Sequence, residues 1–343
     1  MTLKEIAQEA GVSISTVSRV VNGNSAKAAS KEVQERIWEI VRRSDYIPNA
    51  AAKSLKTGRP LPYRERTASK QLACIFARIE NRNASDPFFS RLADSIERAA
   101  FQLGYILKHS FSSFDLNDPA TYRLLEAGNV SGAVILGRCD KATVKFLRKN
   151  FNHVIYVALN PFDAKYDQVI CDGRAAGAYA TAYLEELGHR QIAYIGETKN
   201  ENRYQGYLSA LQFPFERDYV VNAPLSMDGG YRGAEELLRR KTDVSAVFFA
   251  NDSMAIGALR RFKEAGVRVP EDLSIISVDD IDMAQYVTPM LTTLHIPSEE
   301  MGKTAAKILI DRIEGGHTLP MRIDLPFRLV KRESCRKFGE GRK

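Results

Sequence analysis

Two groups of residues in this 343-residue sequence have types and spacing suited to chemistry, and in both the chemistry is binding. The first is Ile14, Ser15, Thr16, Ser18 and Arg19, short side chains and one arginine along one side of a stretch whose other side carries Val17, Val20 and Val21. Such a face is thin enough to enter a DNA major groove, where Arg19 can bond a guanine through two hydrogen bonds and Ile14 can pack on a thymine methyl. The second group is Asp86, Phe88 and Phe89 in SDPFF, Asn160, Arg203 in RYQGY, Asn251 in FFANDSMAIGAL and Asp279 in IISVDDID. Planar polar groups that bond hydroxyls in pairs, beside aromatic faces for C–H surfaces, are what a sugar requires. A plainer reading stands beside each: Arg19 as a surface arginine, Asp279 and Asp280 as turn residues, Phe89 as core, Arg203 paired with a surface carboxylate.

Bond-breaking chemistry finds no motif. The sequence has no G-x-G-x-x-G, no Walker A loop and no G-x-S-x-G elbow, its five histidines are scattered, and Cys74, Cys139, Cys171 and Cys335 form no C-x-x-C pair. No enzyme activity, metal or cofactor is expected, and the cysteines read as free thiols of a reducing compartment. No stretch approaches the roughly 18 apolar residues of a membrane span. The opening MTLKEIAQEAGVS has acidic residues where a secretion signal would be apolar, so a cytoplasmic protein is expected. The net charge is +7, and residues 1–60 hold +4 of it, a basic head on a nearly neutral body that fits a head meeting phosphate.

The elements that must position these residues are legible in the periodicity. Leu3–Ala10 reads as a helix with Thr2 and Glu5 as a capping box and Leu3, Ile6, Ala7 and Ala10 on one face. Gly11 stops it, Ser13 caps a second helix over Ile14–Val21, and a third over about 30–44 buries Val33, Ile37, Ile40 and Val41. This is an all-α helix-turn-helix headpiece, residues 1–47. Pro48 separates it from a hinge at 48–58 whose NAAAKSLKT is too short to hold a helix alone in water. Residues 59–70, with two prolines and several basic side chains, read as an extended linker. From 71 to 343, strand-like runs at 72–77, 105–109, 133–136, 154–159, 192–195, 246–250 and 273–278 alternate with helical patterns such as 89–103, 174–187, 231–239 and 253–265. The alternation predicts an α/β core of two doubly wound parallel-sheet subdomains, with a cleft beyond the strand carboxyl ends.

Residues 3–22, LKEIAQEAGVSISTVSRVVN, resemble the headpiece signature of the LacI/GalR repressor family, and YIPNAAAKSLKTG at 46–58 continues the resemblance. The resemblance implies that Ile14, Ser15 and Arg19 read operator bases. Ser13, Thr16, Ser18 and Asn22 would contact phosphate or hold the headpiece. In the hinge, which begins at Asn49, Leu55 would wedge into the minor groove beside Ala52 and Lys53, and the hinge would order only on DNA. More loosely, the body resembles periplasmic sugar-binding proteins with three chain crossings, an N-subdomain at about 71–161 and 293–322 and a C-subdomain at about 162–292 and 323–338. Arg203, Asn251 and Asp279 match effector-contacting positions, the SDPFF segment lies where the family contacts effector, Asp252 is the alternative helix cap, and His189 in LGHRQIAYIG matches a structural position. The implied function is a homodimeric repressor of a carbohydrate-utilisation operon, released from a palindromic operator by a small sugar. SDPFF and SVDDI resemble galactose- or galactoside-responsive members. The alternatives are control by a protein corepressor or a non-sugar effector and, more remotely, a sugar-binding protein or enzyme on the same core. The tail after Arg328 lacks leucine heptads, so a dimer is expected rather than a tetramer.

Overall fold

The computed structural model describes residues 3–21, 29–43, 70–77, 86–112, 130–139, 147, 150–161, 165–213 and 216–339. The chain divides into two units, residues 1–67 and 68–343.

Among the described residues of the first unit are three helices, α1 (Leu3–Ala10), α2 (Ile14–Val21) and α3 (Lys31–Arg43). Their apolar stripes meet in one small core of Ile6, Ala7, Ala10, Val17, Val20, Ile37, Ile40 and Val41, with Leu3 and Val33 packed at its edge. Gly11 has φ +67°, the left-handed geometry that a Cβ disfavours, so the chain can end α1 and start α2 within three residues. Ser13 begins α2 as expected: its Oγ accepts from the Thr16 amide at 3.1 Å. An Arg43–Glu9 ion pair joins α3 to α1. The hinge and nearly all of the linker, with Thr2, Asn22, Asn49, Ala52, Lys53 and Leu55, lie outside the described residues.

The second unit contains two six-stranded sheets. The first is built from β1 (Gln71–Phe76), β2 (Ile106–Ser112), β3 (Gly132–Leu136), β4 (Val154–Ala158), β5 (Asp167–Ile170) and β11 (Arg322–Asp324), in the order β11-β5-β4-β3-β1-β2, all parallel. The second is built from β6 (Ile192–Gly196), β7 (Val220–Asn222), β8 (Ala246–Phe249), β9 (Ser274–Asp279), β10 (Thr292–His295) and β12 (Arg328–Val330), in the order β12-β10-β9-β8-β6-β7, with β12 antiparallel. Strands such as GAVIL, VIYVA and IAYIG are buried along their whole length, as strands covered on both faces must be. Helices α4 (Pro87–Gln102) and α9 (Ser298–Ile313) lie together against the first sheet, with Ser95 Oγ donating to the Glu299 carbonyl at 2.7 Å. Helices α5 (Gly173–Glu186), α6 (Asn202–Ala210), α7 (Met227–Arg239) and α8 (Asp252–Glu264) belong with the second.

Sheet membership corrects the expected subdomain limits. Residues 162–170 were expected in the second subdomain, yet β5 pairs with β4, so the first crossing falls at 171–172. The reason is Asp167: fully buried, it accepts from Arg312 of α9 and from the Met321 amide, which seats β5 beside β11. Likewise β10, expected in the first subdomain, pairs with β9, and the second crossing follows it at 296–297. The third crossing is the short run 325–327 between β11 and β12.

Two helix pairs cross at reciprocal glycines. A Cβ on Gly177 of α5 would sit 2.1 Å from the Arg203 carbonyl, and one on Gly206 of α6 would sit 2.1 Å from the Arg174 carbonyl. Gly230 of α7 and Gly257 of α8 repeat the arrangement, each 1.9 Å from the partner's backbone oxygen at Met254 and Met227.

Candidate functional site

The polar side of α2 is a surface. Ser13, Ile14, Ser15 and Arg19 are exposed, Thr16 and Ser18 half-buried, while Val17 and Val20 fill the core. Ile14 keeps 45% of its surface open. The Ser13 hydroxyl lies 2.7 Å from that of Ser15 and 2.9 Å from that of Thr16, so three hydroxyls cluster beside the helix N-terminus. Small hydroxyls, one exposed isoleucine and one exposed guanidinium on a rigid helix suit the edge of a base pair.

The second group converges. Asp86, Phe88, Phe89, Asn160, Arg203, Asn251 and Asp279 all line one cleft, with Gly137, Arg138, Ala158, Leu159, Glu201 and Leu225. The contributions come from both sheets, following β3, β4, β6, β8 and β9 at their carboxyl ends, where ligands bind in folds of this kind.

Arg203 is buried and held from three sides. Its Nε donates to Glu201 Oε1 at 2.8 Å, its Nη2 to Glu201 Oε2 at 3.2 Å, and its Nη1 to the Ala250 carbonyl at 2.6 Å. The partner carboxylate anticipated for Arg203 therefore exists, but it is buried in the cleft wall and not on the surface. It raises the arginine's already high pKa against the opposing cost of burial. Glu201 also accepts from the Arg203 amide at 3.2 Å and so caps α6.

Arg138, following β3, reaches across the cleft. It pairs with Glu197, donates to the Lys199 carbonyl at 3.0 Å and lies 3.5 Å from Glu201. Asn160 Nδ2 donates to the Asn200 carbonyl at 3.3 Å, a further bond between the subdomains. Asn160 Oδ1 and Asp279 Oδ1 are buried without a hydrogen-bond partner. Asp279 has φ +122° and Asp280 φ +56°, so the chain is strained just where β9 enters the cleft. Burial pushes the Asp279 carboxyl well above the usual carboxylate range, with Arg203 opposing the rise and Asp252 adding to it.

Several roles differ from expectation. Asn251, not Asp252, caps α8, its Oδ1 accepting from the Met254 amide at 3.0 Å. Asp252 is instead wholly buried and accepts from Ser277, Thr293 and the Ile281 amide. Asp86 caps α4 through the Phe88 amide at 2.9 Å. Of the two phenylalanines, Phe88 is the core residue at 4% exposure, and Phe89 is the ring with open surface; their centroids are 5.2 Å apart, edge to face. Arg138 and Glu201 went unread because neither stands in a motif, although a carboxylate two residues before Arg203 was a signal. His189 is buried, its ring nitrogens 2.9 Å from Ser245 Oγ and 3.1 Å from the Arg336 carbonyl.

Residues 2–49 match the family model described as bacterial regulatory proteins, lacI family, and residues 181–335 match a periplasmic binding protein-like domain. The chain is 31% identical to the HTH-type transcriptional repressor PurR of Photorhabdus laumondii, over 97% of its own length and 96% of the relative's. The PurR of Yersinia pestis is 30% identical over the same shares. Among solved structures, a complex of the transcriptional regulator CelR with cellobiose has a TM-score of 0.68 and 28% identity, covering 97% of this chain and 99% of the other. A LacI family regulator from Enterococcus faecium with bound ribose has a TM-score of 0.68 and 31% identity, covering 78% and 99%.

Proposed function

This chain belongs to the lacI family of bacterial regulatory proteins, and from that premise we propose that it is a DNA-binding repressor whose hold on its operator is set by a small molecule in the cleft of its α/β core. Its relatives over the full length are transcriptional repressors, not enzymes. The observation that carries the reading is the convergence of Asp86, Phe89, Asn160, Arg203, Asn251 and Asp279 on one cleft of a chain that also presents Ile14, Ser15 and Arg19 on an exposed helix.

In this reading α2 enters the major groove, Arg19 and Ile14 touch base edges, and Ser13, Thr16 and Ser18 serve the backbone. A homodimer with a two-fold axis sets two such helices about 34–36 Å apart, which makes the operator palindromic. The hinge segment, with Asn49, Ala52, Lys53 and Leu55, contacts the operator in this reading and couples operator affinity to the state of the core. That coupling is reciprocal: an effector that lowers operator affinity is itself bound less tightly by the DNA-bound form. A repressor that holds an operator works where the DNA is, in the cytoplasm. Among the described residues no helix is long and apolar enough to cross a membrane.

The effector is a sugar in the first instance. Unpartnered acceptors on Asp279 and Asn160 beside the half-open Phe89 ring suit hydroxyls and a C–H face. Structural relatives carry cellobiose and ribose, and SDPFF and SVDDI favour galactose or a galactoside. Full-length relatives bear the name PurR, which keeps a non-sugar effector as the second reading. Calorimetry of the full chain with galactose, lactose, ribose, cellobiose and purine bases separates the two. Binding of a purine base and of no sugar would replace the first reading with the second.

A further inference from the structure

Among the described residues the cleft contains two arginines, Arg138 and Arg203, and neither is offered to a ligand as an uncompensated cation. Glu201, 1% exposed on its side chain, grips Arg203 through both carboxylate oxygens and lies 3.5 Å from Arg138, whose guanidinium is also paired with Glu197. Among the described residues, the other ionisable groups facing the cavity are the carboxyls of Asp86 and Asp279. An anionic group entering here meets a wall whose positive charge is already spent, and reaching Arg203 means displacing Glu201 or sharing its bonds. The atoms with unmet hydrogen-bonding capacity point the same way: Asp279 Oδ1 and Asn160 Oδ1 are buried acceptors. The Asn160 assignment is fixed by its Nδ2 donating to the Asn200 carbonyl. A hydroxyl or amine can donate to such atoms, whereas the oxygens of a phosphate dianion or a carboxylate only accept. Burial raises the carboxyl of Asp279, as expected where added negative charge is unwelcome.

We infer that Glu201 is a specificity-determining residue that makes this cleft select uncharged, donor-rich effectors and reject phosphorylated or carboxylated ones. The inference rests on the reading of the cleft as the effector site. Like charges brought together at a buried site are strongly unfavourable, and unpaired acceptors left behind add to the penalty, so a neutral sugar should bind about tenfold or more tighter than its phosphate ester. Removing the charge while keeping the shape, as in Glu201→Gln, frees Arg203 and Arg138 to meet an anion.

The test uses the full chain and inorganic phosphate as the probe, with chloride at matched ionic strength as the reference. Wild type should show only the general, non-saturating rise that phosphate gives any folded protein. Glu201→Gln should gain a saturable stabilisation by phosphate that vanishes when Arg203→Ala is added. The basic headpiece is common to all these proteins and cancels in the comparison. Wild type stabilised as much as the variant, or a folded Glu201→Gln indifferent to phosphate, overturns the inference. Should Glu201→Gln fail to fold, the wild type still decides: phosphate stabilisation abolished by Arg203→Ala counts against it, and no such stabilisation supports it. Calorimetry of wild type with ribose against ribose 5-phosphate, and galactose against galactose 6-phosphate, gives an independent reading, in which a phosphate ester binding as tightly as its parent sugar sinks the proposal. If no sugar binds while Glu201→Gln acquires phosphate affinity, the sugar reading fails and the charge selection stands.

Discussion

Asp252 and Thr293 meet at 2.6 Å, the threonine hydroxyl donating to Oδ1, and this one bond ties the first residue of α8 to the strand that leads into the second crossing. Ser277 donates to the same oxygen and the Ile281 amide to the other at 2.8 Å. Asp252→Ala strands three buried donors at about 1–3 kcal/mol each, so the core should lose at least about 3 kcal/mol. Asp252→Asn, which keeps an acceptor oxygen, should lose less. Urea unfolding followed by circular dichroism checks the order; equal stability of all three proteins would refute it.

Arg19→Ala should lower affinity for the cognate operator by about 1–3 kcal/mol and relax the sequence preference, since the exposed guanidinium is read as a base contact. Binding to random DNA should change little. Equal losses on operator and random duplex, measured by fluorescence anisotropy at fixed salt, would make Arg19 a phosphate contact instead.

Asp279 sits at φ +122° with one buried oxygen unpartnered, a residue strained and desolvated at the cleft. Asp279→Asn should therefore leave the melting temperature unchanged or raise it. The same variant should weaken effector binding about tenfold by replacing one carboxyl oxygen with an amide donor. Operator affinity without effector should stay as in wild type. A variant that melts lower and still binds effector normally would assign Asp279 to the fold alone.

Gly177→Ala should destabilise the core by about 1–3 kcal/mol, because the added methyl collides with the Arg203 carbonyl and the backbone must yield. The displaced α6 carries Arg203 and the capping Glu201, so effector affinity should fall with stability. Gly257→Ala should cost a similar amount of stability and leave effector affinity nearer wild type, since its clash is with Met227 of α7. Paired calorimetry and urea melts distinguish the two.

Burial holds His189 below the ordinary imidazole value. The unfolded chain, titrating near 6.5, therefore binds the proton more readily than the folded one. The stability this group contributes is whole above about 6.5 and declines as pH falls through that value toward the lower folded one. His189→Asn should flatten the stability difference between about pH 7.5 and 5.5 relative to wild type. A slope as steep in the variant would place the titration elsewhere.

How much of this was legible depends on how loudly burial speaks in the residue types. Strands β1, β3, β4, β6, β8 and β9 stand out as apolar runs because both their faces are covered. β5 and β10 do not, since DQVI and TTLH bury Asp167, Thr292 and Thr293 behind partners that only the fold supplies. Their sheet assignments erred for the same reason. In the cleft, residues that end strands or precede a helix carry a positional signal, which is how Asn251 and Asp279 were found. Which of two neighbours caps and which stays open is a matter of χ angles, and there Asn251 takes the cap read for Asp252 while Phe88 takes the core place read for Phe89. Arg138 carries no local signal, because its partners lie about sixty positions away, in the other subdomain.

Strands β11 and β12 close an edge of each sheet from a single stretch, residues 322–330. A growing chain therefore emerges from the ribosome with both halves of its core unfinished, however early their central strands assemble. One short tail completes the two together, so premature termination near residue 320 forfeits both halves at once and leaves two open β edges for chaperones or proteases to find.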